Sequence, residues 1–154
     1  MKIKEIQIEA IWNVANKEII KKAIISHLAS QSKEDLLVTK LIAIQYKLED
    51  YIQNEDDNNV IEILDFVKMY LKAFGLTKKE LASYFEMQDS NFHKYLSGAR
   101  KLNAELVLKL STFSHTKPEY WYRVEIKNEL IALRKEKSNL DYYKKYDYRN
   151  LIAI

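Results

Sequence analysis

The fold is decided by residues 75–98, which read GLTKKELASYFEMQDSNFHKYLSG. Gly75 and Gly98 are the only two glycines among the 154 residues. Glycine commonly ends helices, because it adopts the left-handed backbone conformation without a steric penalty from Cβ. Two short helices joined by a tight turn fit between them. This spacing predicts a helix-turn-helix, whose second helix would lie in the major groove of DNA.

The first of these helices is predicted to begin at Thr77. Its hydroxyl can cap the helix, and Glu80 stands three residues later, where it completes a capping box. Leu81, Ala82 and Phe85 then follow on the inward face. The small side chain of Ala82 is expected where the two helices approach most closely.

The second helix is predicted to open at residues 88–89, with an apolar and a polar face. Phe92, Tyr95 and Leu96 recur at helical spacing on the apolar face. The polar face carries side chains of the kinds that reach base edges and phosphates, namely Asp89, Ser90, Asn91, His93 and Lys94. An ordinary antiparallel helix pair with a solvated polar face has the same local pattern and stays an alternative.

A longer stretch, residues 76–124, resembles the XRE family of phage-repressor-type helix-turn-helix proteins. Within that family it is most similar to the HigA-type antitoxins. The segment LSGARKLNAELVLKLS is similar to the LNGKRKLTPE consensus of those antitoxins, and KPEYW matches the start of their following helix. The upstream segments LLVTKLIAIQYKLEDYI (36–52) and VIEILDFVKMYLKAFGLT (60–77), joined by a short acidic spacer, also resemble the N-terminal half of longer HigA-like proteins, so that the resemblance covers roughly residues 36–124.

The chain departs from the family pattern at three turn and helix-start positions. Glu86 stands where the family usually has Gly, and a positive φ there would cost about 1 kcal/mol. Gln88 stands where a Ser or Thr cap is common, and Asp89 where a basic or amide residue is common. An acid at this place repels phosphate, although it can accept a hydrogen bond from cytosine N4.

The resemblance implies a dimeric DNA-binding antitoxin that represses its own operon at a palindromic operator. Its partner would be a HigB-like, ribosome-dependent mRNA endonuclease. One alternative is a stand-alone XRE-family transcriptional regulator without a toxin. Another is a helical interaction adaptor that has lost DNA binding, which Glu86 and Asp89 keep open.

The residues expected to contact double-stranded DNA lie at the start of the first helix, along the second helix and just after Gly98. They are Thr77, Lys78, Gln88, Asp89, Ser90, Asn91, His93, Lys94, Arg100 and Lys101. Lys94 can donate to guanine O6 and N7 or to a phosphate, whereas Ser90 and Gln88 offer shorter polar contacts.

The chain is predicted to be all-α, with a five-helix phage-repressor-like helix-turn-helix domain and an N-terminal helical extension. Residues 1–55 form the predicted helical dimerisation or partner region. The alternating pattern of residues 2–11 is also compatible with a short strand in place of a helix. The polar loop NEDDNN precedes the DNA-binding domain, residues 59–137. Helix starts are expected at Ser32 with Asp35, at Asn103, and at Pro118, since proline is tolerated in a first turn.

Residues 138–154 form a tail rich in Tyr and Lys. Aromatic rings interleaved with basic side chains can bind single-stranded nucleic acid by stacking. Packing of the tail on its own protein or on a dimer mate is the favoured interpretation, because its apolar end would not stay exposed in a monomer.

Composition agrees with a helical DNA-binding protein. Apolar residues make up 47% of the chain, with only two Gly and one Pro, and all-β folds need turn residues at short intervals. Residues 76–154 carry 15 Lys and Arg against 10 Asp and Glu, whereas residues 1–75 carry 10 against 12. Without Cys, catalytic motifs, a signal peptide or a membrane span, we expect a cytoplasmic non-enzyme that needs no cofactor or metal.

Overall fold

The computed structural model describes residues 14–30, 32–136 and 141–152. All regular secondary structure among these residues is helical, which confirms the predicted all-α class for this part of the chain. The strand considered for residues 2–11 lies outside it. The helices are α1 (Val14–Ser30), α2 (Lys33–Gln53), α3 (Ile63–Phe74), α4 (Lys78–Tyr84), α5 (Asp89–Leu96), α6 (Ala104–Ser114), α7 (Pro118–Glu136), α8 (Asp141–Lys144) and α9 (Tyr148–Leu151).

Short polar side chains begin several of these helices where the sequence predicts it. Ser32 Oγ accepts a hydrogen bond from the Asp35 amide at 3.1 Å. Thr77 Oγ1 accepts from the Glu80 amide at 3.1 Å, and Asn103 Oδ1 accepts from the Leu106 amide at 2.8 Å. Each contact satisfies an amide that has no partner within its own helix. These three helix starts are therefore confirmed.

Both glycines follow a helix and have positive φ angles, as predicted. Gly75, at φ 70°, ends α3, and the Leu76 amide beyond it donates to the Leu71 carbonyl at 2.9 Å. Gly98, at φ 84°, follows Ser97 at the end of α5. The left-handed residues turn the chain and satisfy carbonyls that the helix ends leave free.

The chain divides into two compact units, residues 1–39 and 40–154. The first unit contains α1, on which the large apolar side chains of Ile19, Ile24 and Ile25 are all more than half exposed. The second unit contains the hydrophobic core, which is built from side chains of α2 to α7.

The boundary of the core differs from the one expected from sequence. The acidic loop at 54–59 was predicted to separate an N-terminal region from the DNA-binding domain. In the structure, Ile44, Leu48 and Tyr51 of α2 are buried in the same core as Phe66 of α3. Helical spacing shows which residues share a face but not what covers that face.

Trp121 of α7 is fully buried near the centre of the second unit. Its ring lies 6.2 Å from that of Tyr70 on α3, and its indole N–H donates to Thr116 Oγ1 at 3.0 Å. Burial raises the pKa of Tyr70 to about 12. The Thr116 hydroxyl also lies 2.7 Å from Ser114 Oγ. The buried hydroxyl of Thr116, in the loop that joins α6 to α7, therefore has a polar partner on each of these helices.

The end of α2 is attached to α7 by side chains that are distant in sequence. The Tyr51 hydroxyl donates to Asn128 Oδ1, and Asn128 Nδ2 donates to the Ile61 carbonyl at 3.0 Å. The Lys127 ammonium donates to the carbonyls of Tyr51 and Asn54. These contacts fix the loop that leads from α2 into α3. None of the helices among the described residues has the length and apolar character needed to cross a membrane.

Candidate nucleic-acid interface

The turn at residues 85–88 sets the position of α5 relative to α4. Glu86 has a φ of 60°, so the position that is usually Gly in the resembled family has the left-handed conformation here. The Met87 amide donates to the Ala82 carbonyl at 2.8 Å. Ala82 is fully buried, as expected for the place where the two helices meet.

The backbone of this turn is also held from the outside. The Lys109 ammonium, on α6, donates to the Phe85 carbonyl at 2.6 Å. The Phe85 ring packs edge-on against both Phe92 of α5, at 5.7 Å, and Phe113 of α6, at 5.8 Å. Three helices therefore meet at one turn residue. Lys109 was not predicted from sequence, where its local signal is the i,i+4 spacing from Glu105, with which it forms an ion pair.

One face of α5 is buried and the other is open. Phe92 is 0% exposed and Leu96 is 1% exposed. Tyr95, predicted on the same face, is only half-buried, and its hydroxyl accepts from Asn103 Nδ2 at 3.3 Å. Of the polar residues predicted to face outward, Ser90, His93 and Lys94 are exposed, whereas Asp89 and Asn91 are half-buried.

Two of the predicted contact residues form an ion pair. The Lys78 ammonium lies 3.4 Å from Asp89 Oδ1 and 3.1 Å from His93 Nδ1. Asp89 Oδ1 is shielded from solvent and accepts no hydrogen bond from the described residues, so Lys78 is the group that offsets its charge. The structure thus brings Lys78, Asp89 and His93 together across the turn.

A second group forms at the far end of α5. The Arg100 guanidinium donates to Asn91 Oδ1 and lies 5.4 Å from the centre of the Tyr95 ring. The Arg100 amide donates to the Lys94 carbonyl at 3.0 Å, which folds the segment after Gly98 back onto the helix. Arg100 is exposed and is oriented by two neighbours.

The remaining predicted residues stand apart from these groups. Gln88, Ser90 and Lys94 are exposed, and within the described part of the chain their side chains make no hydrogen bond or ion pair that links them to another side chain. The Thr77 hydroxyl oxygen caps α4. Lys101 is drawn away from α5, because its ammonium donates to Glu129 Oε1 on α7 at 3.1 Å.

No protein-family model, curated protein or solved structure matches the chain. The resemblance of residues 76–124 to the XRE family stays a prediction.

Proposed function

We propose that this chain is a DNA-binding antitoxin of the HigA type. It would repress its own operon as a dimer on a palindromic operator and neutralise a HigB-like toxin in the cytoplasm. In this proposal α3 to α7 are the five helices of a phage-repressor-like domain, and α4 with α5 is its helix-turn-helix. The second half of α2 adds to the core of that domain.

The observation that carries the proposal is the division of α5 into two faces. Phe92 and Leu96 attach the helix to the core, while Ser90 and Lys94 remain exposed and unengaged by other side chains of the described residues. A helix that enters the major groove needs this arrangement, since it must be supported from behind and present hydrogen-bonding groups in front. A structural helix with a solvated face needs only the support from behind.

The groups around α5 have roles in the proposal that follow from their chemistry. Lys94 is placed to donate to guanine or to phosphate, and Ser90 to reach a base edge or a phosphate. Arg100, held by Asn91 and Tyr95, is pre-oriented and would lose little side-chain entropy on binding an anion. Thr77 and Lys78 lie at the start of α4, where an amine or hydroxyl would contact the DNA backbone.

A dimer supplies the affinity that one helix lacks. A single helix-turn-helix reads only a few base pairs, so two copies on a palindrome are the physical route to a specific site. The exposed apolar side chains of α1, including Ile19, Ile24 and Ile25, offer a surface for the second copy or for the toxin.

Fluorescence anisotropy on the promoter of the chain's own gene tests the DNA-binding part. A scrambled duplex of equal length is the matched control, and both are titrated at two salt concentrations. We expect the promoter to bind at least about a thousandfold more tightly than the scrambled duplex. Equal affinities on the two duplexes would reject an operator-specific repressor.

Co-purification with the product of the neighbouring gene tests the toxin part. Residues 1–39 can be deleted without removing any residue of the core, whereas a deletion of residues 1–55 would remove Ile44, Leu48 and Tyr51. If α1 contributes to toxin binding, the shorter deletion loses the toxin and keeps DNA binding. Toxin binding that is unchanged by the deletion would place the toxin site elsewhere.

A second function is favoured by the pair of Lys78 with Asp89. This contact neutralises one cation at the proposed interface, as expected of a helical adaptor that has lost DNA binding. An electrophoretic mobility experiment with the promoter separates the two, because an adaptor leaves the duplex unshifted. A stand-alone regulator would shift the duplex but would have no toxin partner.

A further inference from the structure

A cavity of about 540 Å³ lies beside the C-terminal end of α5, between the start of α3 and the second half of α7. Its apolar lining includes Ile63, Leu96 and Ile131, each at most 5% exposed, with Val60 and Ala132 nearer the surface. The volume is within the range of about 300–1,000 Å³ that holds small organic ligands. The cavity is therefore large enough for a ligand of several carbon atoms.

Glu125 is a half-buried carboxylate on this lining, which also carries Glu62, Glu129, Lys101 and Lys135. Its Oε2 accepts a hydrogen bond from the Leu102 amide at 2.7 Å, and no ion pair involves it within the described part of the chain. Burial raises the pKa of this carboxyl, and the nearby carboxylate of Glu129 acts in the same direction. Of the two cations on the lining, Lys101 lowers the pKa of Glu125 but is itself bonded to Glu129, and Lys135 forms no ion pair with Glu125 among the described residues.

We propose that this cavity binds a small organic cation, a primary ammonium with an apolar chain of about six carbons. The ammonium group pairs with the Glu125 carboxylate, and the chain covers Ile63 and Ile131. An ammonium supplies a directly paired positive charge and further hydrogen-bond donors to the partly desolvated carboxylate. A neutral alcohol offers only a hydroxyl, and a carboxylate ligand would be repelled.

Such a ligand would act on the end of α5. Leu96, Ser97 and Gly98 line the cavity together with Lys101. A second cation beside Glu125 and Glu129 competes with Lys101 for the Glu129 carboxylate and releases Lys101 from α7. On the proposed function, which this step rests on, the free Lys101 adds a phosphate contact. Ligand and DNA then strengthen the binding of one another to the same extent.

Binding is measured without DNA, so the result is independent of the proposed function. The full chain is titrated with n-hexylammonium by calorimetry and by amide NMR, with 1-hexanol and hexanoate as probes of the same length. We expect a dissociation constant in the millimolar range for the ammonium, as its few heavy atoms allow. The alcohol and the carboxylate should bind at least about tenfold more weakly. The shifted amides should include those of Gly98, Leu102 and Asn128.

Two variants and a control locate the site. Glu125→Gln retains an acceptor for the Leu102 amide but loses the charge, and it should weaken hexylammonium binding at least about tenfold. Ala132→Phe fills the cavity and should abolish binding even if Glu125→Gln does not fold. Glu136→Gln removes an exposed carboxylate from the same helix and should bind like the unmodified protein. Equal binding of the three probes, or binding unaffected by Glu125→Gln and Ala132→Phe in folded protein, would overturn the proposal.

Discussion

The ammonium group of Lys78, in the first turn of α4, lies 3.4 Å from the carboxylate of Asp89, in the first turn of α5. The pair joins two helix starts across the turn at residues 85–88. It also places an acid beside a cation that the proposed function assigns to the DNA backbone. How strongly Asp89 limits DNA binding can be measured directly.

Asp89→Asn should strengthen binding to non-specific DNA. The change releases the Lys78 ammonium and removes a negative charge, so the dependence of log affinity on log salt should become steeper by about one unit. Binding to the promoter should weaken only if Asp89 accepts from a cytosine. Asp50→Asn removes the same charge from an exposed site on α2 and should leave both affinities unchanged. If Asp89→Asn also changes neither, α5 does not meet DNA at its N-terminus.

Lys94→Ala should weaken promoter binding by about 1–3 kcal/mol if Lys94 contacts a base. If it contacts a phosphate, promoter and scrambled DNA should weaken alike, and the salt slope should fall by about one unit. Anisotropy on both duplexes at two salt concentrations distinguishes these outcomes. Lys68→Ala, at an exposed position on α3, is the matched lysine control. Phe92→Ala is the folding control, because it removes a fully buried anchor of α5.

Glu86→Gly should raise the free energy of unfolding by about 0.5 kcal/mol. The left-handed conformation costs a residue with a Cβ about 1–2 kcal/mol, and Gly removes this strain. The greater freedom of Gly in the unfolded chain offsets part of the stabilisation. Glu80→Gly, within α4, should have the opposite sign and cost about 1 kcal/mol. Urea denaturation of the two variants measures the contrast. If Glu86→Gly instead lowers the free energy of unfolding, the Glu86 side chain makes a contact that stabilises the protein by more than the strain costs.

Thr116→Val should destabilise the protein by about 1–3 kcal/mol, because it leaves the buried indole N–H of Trp121 without an acceptor. The two side chains have nearly the same shape, so loss of packing contributes little. Thr112→Val makes the same change at an exposed site on α6 and should be nearly neutral. Thermal melts followed by circular dichroism compare them. Equal melting temperatures for the two variants would contradict this account of Trp121.

The protein should be a homodimer in solution at micromolar concentration. Leu151 is 88% exposed in α9, and Ile19, Ile24 and Ile25 are exposed on α1. Exposed apolar side chains grouped on one helix, as on α1, usually mark an interaction surface. Light scattering should give about twice the chain mass of 18.3 kDa. A single species of the chain mass would leave the proposed operator-binding dimer without support.

The helix starts at Ser32, Thr77 and Asn103 could be predicted from sequence, because a cap is made by residues three positions apart. The left-handed turn at Glu86 could be predicted only through a resemblance, since Glu gives no local sign of positive φ. The buried end of α2 could not be predicted. The end of α2 is attached through a hydrogen bond between Tyr51 and Asn128. These residues are 77 positions apart, so no local sequence pattern connects them.

In the candidate interface, too, some features could be predicted from sequence and others could not. Helical spacing around Phe92 was sufficient to predict that Ser90, His93 and Lys94 are exposed, but not that Asp89 and Asn91 are half-buried. It gave no indication that Lys78 pairs with Asp89, or that Lys101 turns away to Glu129. Such pairings depend on how helices pack, and a long charged side chain can reach several partners. The predicted contact residues therefore include some whose charge is already offset within the protein.

On the proposed function, the contacts around Phe85 bear on which partner would adapt when the protein meets a duplex. The Phe85 ring is clamped between α5 and α6, and its carbonyl is held by Lys109. These contacts hold the turn in place, and α5 would therefore be positioned before DNA is bound. Little ordering remains for the protein to undergo, so any adjustment of fit falls on the duplex. Operators would then be selected partly by how easily their sequence bends or narrows a groove, including at base pairs that no side chain touches.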